Sequence, residues 1–228
     1  MPQCYVCNEL SVSDEHIPPQ CLFPEPKDLP SGLDFRKNLI TVPSCAEHNL
    51  RKSGDDEYLL FILVANINVN VTGLNQWRTK IRRAMAKRPT KKGILKNLQP
   101  VKYKGISTGI YEIDIERLSR QLDLISRGIY YYHFQKHWLH EIKLFITFAI
   151  PSESKQSQRY SQAVSEVTAL AIRFLKDEPK RGENEEIFYY QYKLNSDSSG
   201  FVLRMVFYGG LEVVAISGEN NDQSIQTT

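Results

Sequence analysis

The chain of 228 residues has no apolar run as long as the roughly eighteen residues that a membrane-spanning helix requires. Its longest apolar stretch lies between Tyr58 and Ile67 and is predicted to form a buried helix. The opening residues, Met-Pro-Gln-Cys, have neither the basic head nor the apolar segment of an export signal. We therefore expect a cytoplasmic protein without a membrane partner.

Cysteine is also scarce, with four in the chain, and three of these belong to short-spaced pairs of potential metal ligands. In the reducing cytoplasm, such cysteines are more often metal ligands than disulfide partners. The formal net charge of +3 indicates no particular partner by itself. Hydrophobic and charged contents of 41% and 24% are typical of a soluble protein with a proper core, in one large domain or two small ones.

The N-terminal segment, residues 1 to about 57, has no long periodic element and needs a stabilising cross-link, such as a bound metal ion, to fold. It contains two pairs of potential ligands, Cys4-Tyr-Val-Cys7 and Cys45-Ala-Glu-His48. Two residues between ligands allow one tight turn to present both side chains to a tetrahedral zinc ion. The pairs predict a structural zinc site closed by protein ligands, and the alternative is a set of buried free cysteines. Cys21 could replace His48, but it is more simply a small core residue.

Hydrophobic periodicity predicts an α+β fold. We expect helices from Cys45 to about Ala65 (weakened at Gly54), Leu74 to Arg88, Glu116 to Ile129 and Gln158 to Leu175. We expect strands within Val101–Ile115, Lys143–Ile150, Phe188–Leu194, Phe201–Tyr208 and Leu211–Ser217, with a hairpin turn at Gly209-Gly210. The predicted division is an N-terminal domain over 1–70, a basic helical connector over 71–100 and a C-terminal α+β domain over 101–228.

Three short elements surround the second ligand pair. Glu15-His16-Ile17-Pro18-Pro19 and Asn38 precede it, and Asn49 to Lys52 follow it directly. In this order the sequence resembles the HNH nuclease family of the ββα-metal fold, over about the first quarter of the chain. The resemblance implies an N-terminal ββα-metal domain, often braced by zinc, that cuts nucleic acid with a divalent metal ion.

The sequence departs from the family pattern in three places. Glu15 stands where aspartate is more usual, Asn49 where the third signature residue is often histidine, and His48 where the zinc pair more often ends in cysteine. Carboxylate, amide oxygen and imidazole are all adequate ligands for the ions concerned. The departures therefore remove no required chemistry.

The same residues suit phosphodiester hydrolysis, which needs an activated water and a neutralised phosphate. His16 can accept a proton near neutral pH. Glu15, on the opposite face of an extended chain from His16, and Asn49 at a helix start could bind Mg²⁺ or Mn²⁺ through oxygen. Asn38 is expected to brace the backbone that carries His16, and Lys52 to meet a phosphate. Each residue alone could be an ordinary surface, turn or capping residue, but their joint order favours catalysis.

A basic stretch follows, since no acidic residue occurs from Tyr58 through Tyr111. Its cations suggest a face for nucleic acid, against the alternative of a solvated helix face. Trp77 could stack on a base or pack inward. The predicted substrate-binding residues here are Arg78, Arg82, Arg83, Lys87 and Arg88.

The segment from Tyr130 to His140 is rich in aromatic residues and histidines. An aromatic core layer at a helix end is the preferred interpretation, and a second site is the alternative. We expect the chain to be a metal-dependent endonuclease with structural Zn²⁺ and catalytic Mg²⁺ or Mn²⁺. Its expected substrate is nucleic acid, with DNA favoured. The alternatives are a non-catalytic zinc module that binds DNA or RNA, and an RNA-cutting toxin.

Overall fold

A two-stranded antiparallel sheet opens the fold and is followed by a helical region. The computed structural model describes residues 2–49, 53–87, 96–103, 105–149, 155–196 and 199–218. Strands β1 (Ser13–His16) and β2 (Thr41–Ser44) pair with His16 opposite Thr41. Helices α1 (Ala46–Asn49) and α2 (Ser53–Val64) follow, as the sequence predicts for 45–65.

The loop between β1 and β2 is held by short 3-10 turns at Gln20–Leu22 and Pro26–Asp28. Helix α2 is apolar along its whole length after the first turn, and the residues from Tyr58 to Val64 are all buried. A helix that is hydrophobic on all sides belongs inside a core rather than on a surface. Helix α2 is therefore an element of the core, and it packs against the 3-10 turn at Gln20–Leu22.

The predicted basic helix is present and begins three residues earlier than expected. Helix α3 (Val71–Gln76) continues through a π-helical turn (Trp77–Ile81) into α4 (Arg82–Lys87). Asn70 caps α3, because its side-chain oxygen accepts a hydrogen bond from the Gly73 N–H at 3.0 Å. We call residues 71–87 the basic helical segment.

The remainder of the chain is α+β, as predicted. Strands β3 (Lys96–Tyr103) and β4 (Ile106–Glu112) form a separate hairpin, and α5 (Ile115–Phe134) follows it. The last sheet contains β5 (Lys143–Ile146), β6 (Arg181–Asn184), β7 (Phe188–Leu194), β8 (Gly200–Phe207) and β9 (Leu211–Gly218). Its order is β5-β9-β8-β7-β6, all antiparallel, and α6 (Lys155–Phe174) packs against it.

Two further element ends differ from those predicted, and one strand is additional. Helix α5 runs on through the aromatic residues to Phe134, where Gln135 ends it in the left-handed conformation at φ 52°. Strand β5 stops at Ile146, and the chain turns at Thr147. The Thr147 N–H and hydroxyl both donate to the Glu212 carbonyl oxygen. Strand β6 was not expected, since Arg-Gly-Glu-Asn lacks strand-forming residues.

One continuous core joins the N-terminal segment to the rest of the chain. Buried residues from the zinc-pair region, α2, α5 and the large sheet belong to a single cluster. The Tyr208 hydroxyl donates to the Leu22 carbonyl oxygen at 2.5 Å. The predicted domain boundaries at residues 70 and 100 stay a prediction. Among the described residues, no helix combines the length and the apolar character needed to cross a membrane.

Candidate functional site

The two ligand pairs lie together in space. The donor atoms of Cys4, Cys7, Cys45 and His48 all fall within 4.8 Å of one another. The His48 Nδ1 atom lies 3.6 Å from Cys4 Sγ, 3.6 Å from Cys7 Sγ and 3.2 Å from Cys45 Sγ. A tetrahedral zinc ion places sulfur and nitrogen ligands roughly 3.6 Å apart, given bonds of about 2.3 and 2.0 Å. We call this the cysteine–histidine cluster, and it could hold a metal ion such as zinc.

Backbone hydrogen bonds hold the ligand-bearing turns against the small sheet. The Cys4 N–H donates to the Glu9 carbonyl oxygen at 2.9 Å, which closes the first turn. The Tyr5 N–H donates to the Pro43 carbonyl oxygen of β2 at 2.8 Å. Cys45 follows β2 directly, so the strand sets the distance between the two ligand pairs.

A residue outside the N-terminal segment also supports the cluster. His137, in the loop after α5, donates through Nε2 to the Cys4 carbonyl oxygen at 2.7 Å. Hydrogen bonds of this kind, to the backbone around a ligand, orient the ligands of metal sites. Cys21 lies elsewhere, and its thiol faces the Asp56 carbonyl oxygen at 3.3 Å. The ligand in the cluster is therefore His48.

Strand β1 places Glu15 and His16 on opposite faces of the small sheet. Glu15 is only 7% exposed and faces the interior, whereas His16 is partly exposed. Glu15 lies near the fully buried Tyr5, whose pKa is well above its usual value because of burial and, secondly, because of the Glu15 charge. The acid and the histidine thus meet different surroundings although they are neighbours in sequence.

Helix α1 carries Asn49 back to the same strand. Its side-chain nitrogen donates to Ser13 Oγ at 2.6 Å and, less closely, to the Asp14 carbonyl oxygen at 3.5 Å. The end of α1 and the strand of Glu15 are therefore joined through Asn49. Lys52, predicted to contact phosphate, lies outside the described residues.

Asn38 lies in the chain just before β2. It adopts the left-handed conformation with φ 54°, which asparagine tolerates better than most residues. Beyond β1 and β2, the Ile17 N–H donates to the Ile40 carbonyl oxygen at 2.9 Å and extends their pairing. Asn38 therefore lies where the chain enters the strand opposite His16, and the bracing role stays a prediction.

The basic helical segment divides into exposed and engaged cations. Arg78, Arg82 and Lys87 are exposed. Arg83 instead makes a bidentate ion pair with Asp28 at 2.7 and 2.8 Å, which holds the pKa of that carboxyl below its usual range. The loop between β1 and β2 thus supplies the acidic partner that residues 58–111 lack. Arg88 lies outside the described residues.

One further cation and one aromatic residue of this region have structural roles. Lys80 donates to the Cys21 carbonyl oxygen at 2.8 Å, and burial lowers its pKa. Trp77 packs edge-on against the buried Phe61, with ring centroids 5.4 Å apart. Of the two orientations open to Trp77, the inward one is observed.

The aromatic segment from Tyr130 to His140 includes the last turn of α5 and packs on the large sheet, as the preferred interpretation expects. Tyr130 packs on Trp138 and Phe201 with centroid distances of 4.8 and 5.5 Å. His133 differs from this layer, because its Nε2 atom lies 2.8 Å from the Tyr190 hydroxyl at the edge of a cavity. Burial, followed by the charge of Arg181, lowers the pKa of His133 to about 4.

Arg181 and Tyr190, on β6 and β7, also line this cavity, although no sequence pattern connects them with Asn38. Comparison of the chain with family models, with curated proteins and with solved structures gives no match.

Proposed function

We propose that this chain is a metal-dependent endonuclease of the HNH type, which hydrolyses phosphodiester bonds in nucleic acid, with DNA as the first substrate to test. The observation that carries the proposal is the hydrogen bond from Asn49 to Ser13, which holds the last residue of α1 against the strand of Glu15 and His16. The order of these residues along the chain is the second support. Both point to a site between β1 and α1.

We propose that the ion of the cysteine–histidine cluster is zinc and that it is structural. Its four donors are three thiols and one imidazole, a set that zinc prefers and that closes the coordination sphere. A closed site offers no position for a substrate. The zinc would fix the turn before β1 relative to the start of α1, and so the two sides of the proposed catalytic site.

The residues between β1 and α1 fit a second, harder cation. Glu15 supplies a carboxylate and Asn49 an amide oxygen, and oxygen ligands are those that Mg²⁺ and Mn²⁺ prefer. Such a cation, when bound, neutralises the phosphate and stabilises the leaving oxygen. The side-chain nitrogen of Asn49 donates to Ser13 on β1, so the side-chain oxygen is the atom assigned to the cation.

The proton chemistry belongs to His16. Its imidazole takes a proton from the attacking water, whose oxygen forms the new bond to phosphorus as the bond to the leaving oxygen breaks. His16 is partly exposed, so substrate can reach its imidazole. Arg78, Arg82 and Lys87 would bind the phosphate backbone on either side.

Plasmid nicking tests the proposal. With Mg²⁺, the parent protein is expected to cut, and His16→Ala to lose roughly a hundred- to ten-thousand-fold in rate. His140→Ala is the matched control, because His140 is an exposed histidine outside the site. Glu15→Ala and Asn49→Ala are expected to fail at low Mg²⁺ and to recover partly with more Mg²⁺ or with Mn²⁺. Recovery is not expected for His16→Ala.

The assignment of the base is wrong if His16→Ala cuts at the parent rate while circular dichroism shows an unchanged fold. A parent protein that binds DNA with Mg²⁺ and cuts neither plasmid nor tRNA would instead be a non-catalytic zinc module. One observation favours that second candidate: Glu15 is only 7% exposed, so a cation would have to enter a nearly closed interior. Cutting of tRNA alone would indicate an RNA-cutting toxin.

A further inference from the structure

A cavity of about 210 Å³ opens at the end of the small sheet. One wall is the chain leaving β1 at Ile17 and Pro18, together with the chain entering β2 at 38–40. The second wall is the end of α5, with Tyr132 and His133. The third wall comes from β6 and β7. We call it the hairpin-end cavity.

The hairpin-end cavity adjoins the proposed catalytic histidine. His16 immediately precedes Ile17, and Thr41, its partner across the sheet, immediately follows Ile40. The hydrogen bond from Ile17 to Ile40 fixes this wall beside His16. One residue of extended chain spans roughly 3.3 Å. The cavity therefore begins within about one nucleotide of any phosphate held at His16.

The polar groups of the cavity are fixed in place. Arg181 on β6 pairs in register with Tyr190 on β7, and its guanidinium lies 5.1 Å from the centre of the Tyr192 ring. His133 and the Tyr190 hydroxyl hold each other at 2.8 Å. With its pKa lowered to about 4 by burial and by Arg181, His133 is a neutral imidazole at physiological pH. The cavity thus offers donors and acceptors in set directions.

The lining combines aromatic rings with both donors and acceptors of hydrogen bonds. Tyr132 is 45% exposed, so its ring is accessible from solvent. Arg181 provides donors, Glu183 an acceptor and Asn38 both. These are the side chains that read the edges of bases, and an accessible aromatic ring is the surface on which bases stack. The carboxylate of Glu183 disfavours a free anion as the occupant.

The volume suits a small planar ligand. At about 30 Å³ for each water, the cavity corresponds to roughly seven waters. Pockets for drug-sized ligands are larger, at about 300–1,000 Å³. A single heterocycle therefore fits better than a whole cofactor.

We propose that the hairpin-end cavity is a base-binding pocket, which takes one unstacked base of the substrate strand next to the phosphate at His16. This rests on the proposed function, because it assigns the cavity to the same substrate. An enzyme that holds a base outside the stack acts on single strands or flips the nucleotide out of a duplex. The pocket would favour single-stranded, distorted or damaged sites, where the base is already unstacked.

Titration with mononucleotides tests the pocket without any cleavage. The four 5′-deoxynucleotides are compared with deoxyribose 5-phosphate, which has the sugar and phosphate but no base. The proposal expects at least one nucleotide to bind measurably more tightly than the sugar phosphate. Equal binding of both would identify a phosphate site and overturn the proposal, as would binding of neither.

Two substitutions locate the bound base. Loss of a base–aromatic stack predicts that Tyr132→Ala weakens nucleotide binding by roughly 5- to 150-fold. Tyr160→Ala is the matched control, because Tyr160 is similarly exposed at 42% and lies on α6. Arg181→Gln is the second variant, which replaces the charged guanidinium fork with a neutral amide. If Tyr132→Ala and Arg181→Gln both bind as the parent does, the base does not lie in this cavity.

The results of the binding and cleavage assays distinguish a failure of the pocket proposal from a failure of the nuclease proposal. His16→Ala should keep the preference for a nucleotide over deoxyribose 5-phosphate although it loses cleavage, because His16 is outside the cavity lining that would hold the base. A protein that cuts DNA but shows no base-dependent binding retains the proposed function and loses the pocket. A protein that binds the base through Tyr132 but never cuts retains the pocket and loses the nuclease.

Discussion

Gly128 lies on α5 at the point where the helix crosses the chain beyond β1. A methyl group added there would approach Ile17 Cγ1 to 2.6 Å, Cδ1 to 2.7 Å and Cγ2 to 3.2 Å. Ile17 is 1% exposed and directly follows His16. Gly128→Ala therefore tests whether the helix sets the position of the proposed catalytic histidine.

Two opposing terms decide the effect on stability. Alanine in a helix interior is favoured over glycine by about 1 kcal/mol. Forcing a methyl group into a packed core costs about 1–3 kcal/mol, and three close carbons of one buried side chain place Gly128→Ala near the upper end. We expect a net loss of about 2 kcal/mol in the free energy of unfolding. For a chain of this size, this corresponds to a melting temperature lower by roughly 4–8 °C.

Thermal and denaturant unfolding measure the change in the free energy of unfolding. Plasmid nicking measures the change in cleavage rate that a displaced His16 would cause. Gly54→Ala is the control, because a methyl group on that α2 residue would meet only Arg117 Nη2 at 3.6 Å. This control should be at least as stable as the parent. Adding Ile17→Ala to Gly128→Ala should cost less than the sum of the two single changes, with a coupling of about 0.5–3 kcal/mol. Gly128→Ala that is as stable as the parent would refute the close contact.

Elemental analysis should find one zinc in each parent chain and none in Cys45→Ser, whereas Cys21→Ser should keep it; a parent without zinc would end the assignment. Arg82→Ala should weaken DNA binding for every sequence and flatten its dependence on salt, because its side chain is exposed. Arg83→Ala should instead lower stability, because its bidentate carboxylate partner is left unpaired. The pKa of His133 is lower in the folded chain than in the unfolded chain, so the unfolded chain takes up the proton at a higher pH. Stability should fall as pH drops from about 6.5 to about 4, and His133→Gln should remove that component; equal pH profiles for the two proteins would contradict it.

The parts of the molecule that could be predicted from sequence depend on short-range patterns. The C-x2-C and C-x2-H spacings place ligand pairs on single turns, so the grouping of Cys4, Cys7, Cys45 and His48 follows once the pairs meet. The Gly209-Gly210 turn sets the last hairpin, because Gly209 adopts a positive φ of 74° that most residues avoid. Strand β7 matches its predicted bounds because the segment is rich in aromatic residues that favour strands.

Other features were set by contacts between residues far apart in the chain. The end of α5 could not be placed, because its aromatic run has modest helix propensity and is helical through packing on Trp138 and Phe201. Strand β6 depends on Gly182, where φ is 129° and a Cβ would lie 2.7 Å from the Phe188 carbonyl oxygen. Neither constraint is visible in a local window of sequence.

The charge pattern of the basic stretch shows why composition alone misleads. An absence of acids over residues 58–111 suggests a continuous cationic face. In the fold, Asp28 from the preceding loop pairs with Arg83, and Glu25 lies 3.8 Å from Lys80. Sequence distance does not reveal such pairs. The exposed cations that are left can still bind phosphate, but they are fewer than the count of lysines and arginines suggests.

The C-terminal part of the chain supports the N-terminal site at three points along its length. His137 holds the carbonyl of the first cysteine ligand, Gly128 receives Ile17, and Tyr208 bonds the Leu22 carbonyl oxygen. Each contact fixes backbone on a different side of β1. Small metal-braced segments have too little apolar area to hold catalytic groups rigidly by themselves, and a catalytic group displaced by about 1 Å can lose a hundredfold in rate. The larger α+β part therefore acts on the proposed chemistry by fixing the position of His16, whichever substrate the chain binds.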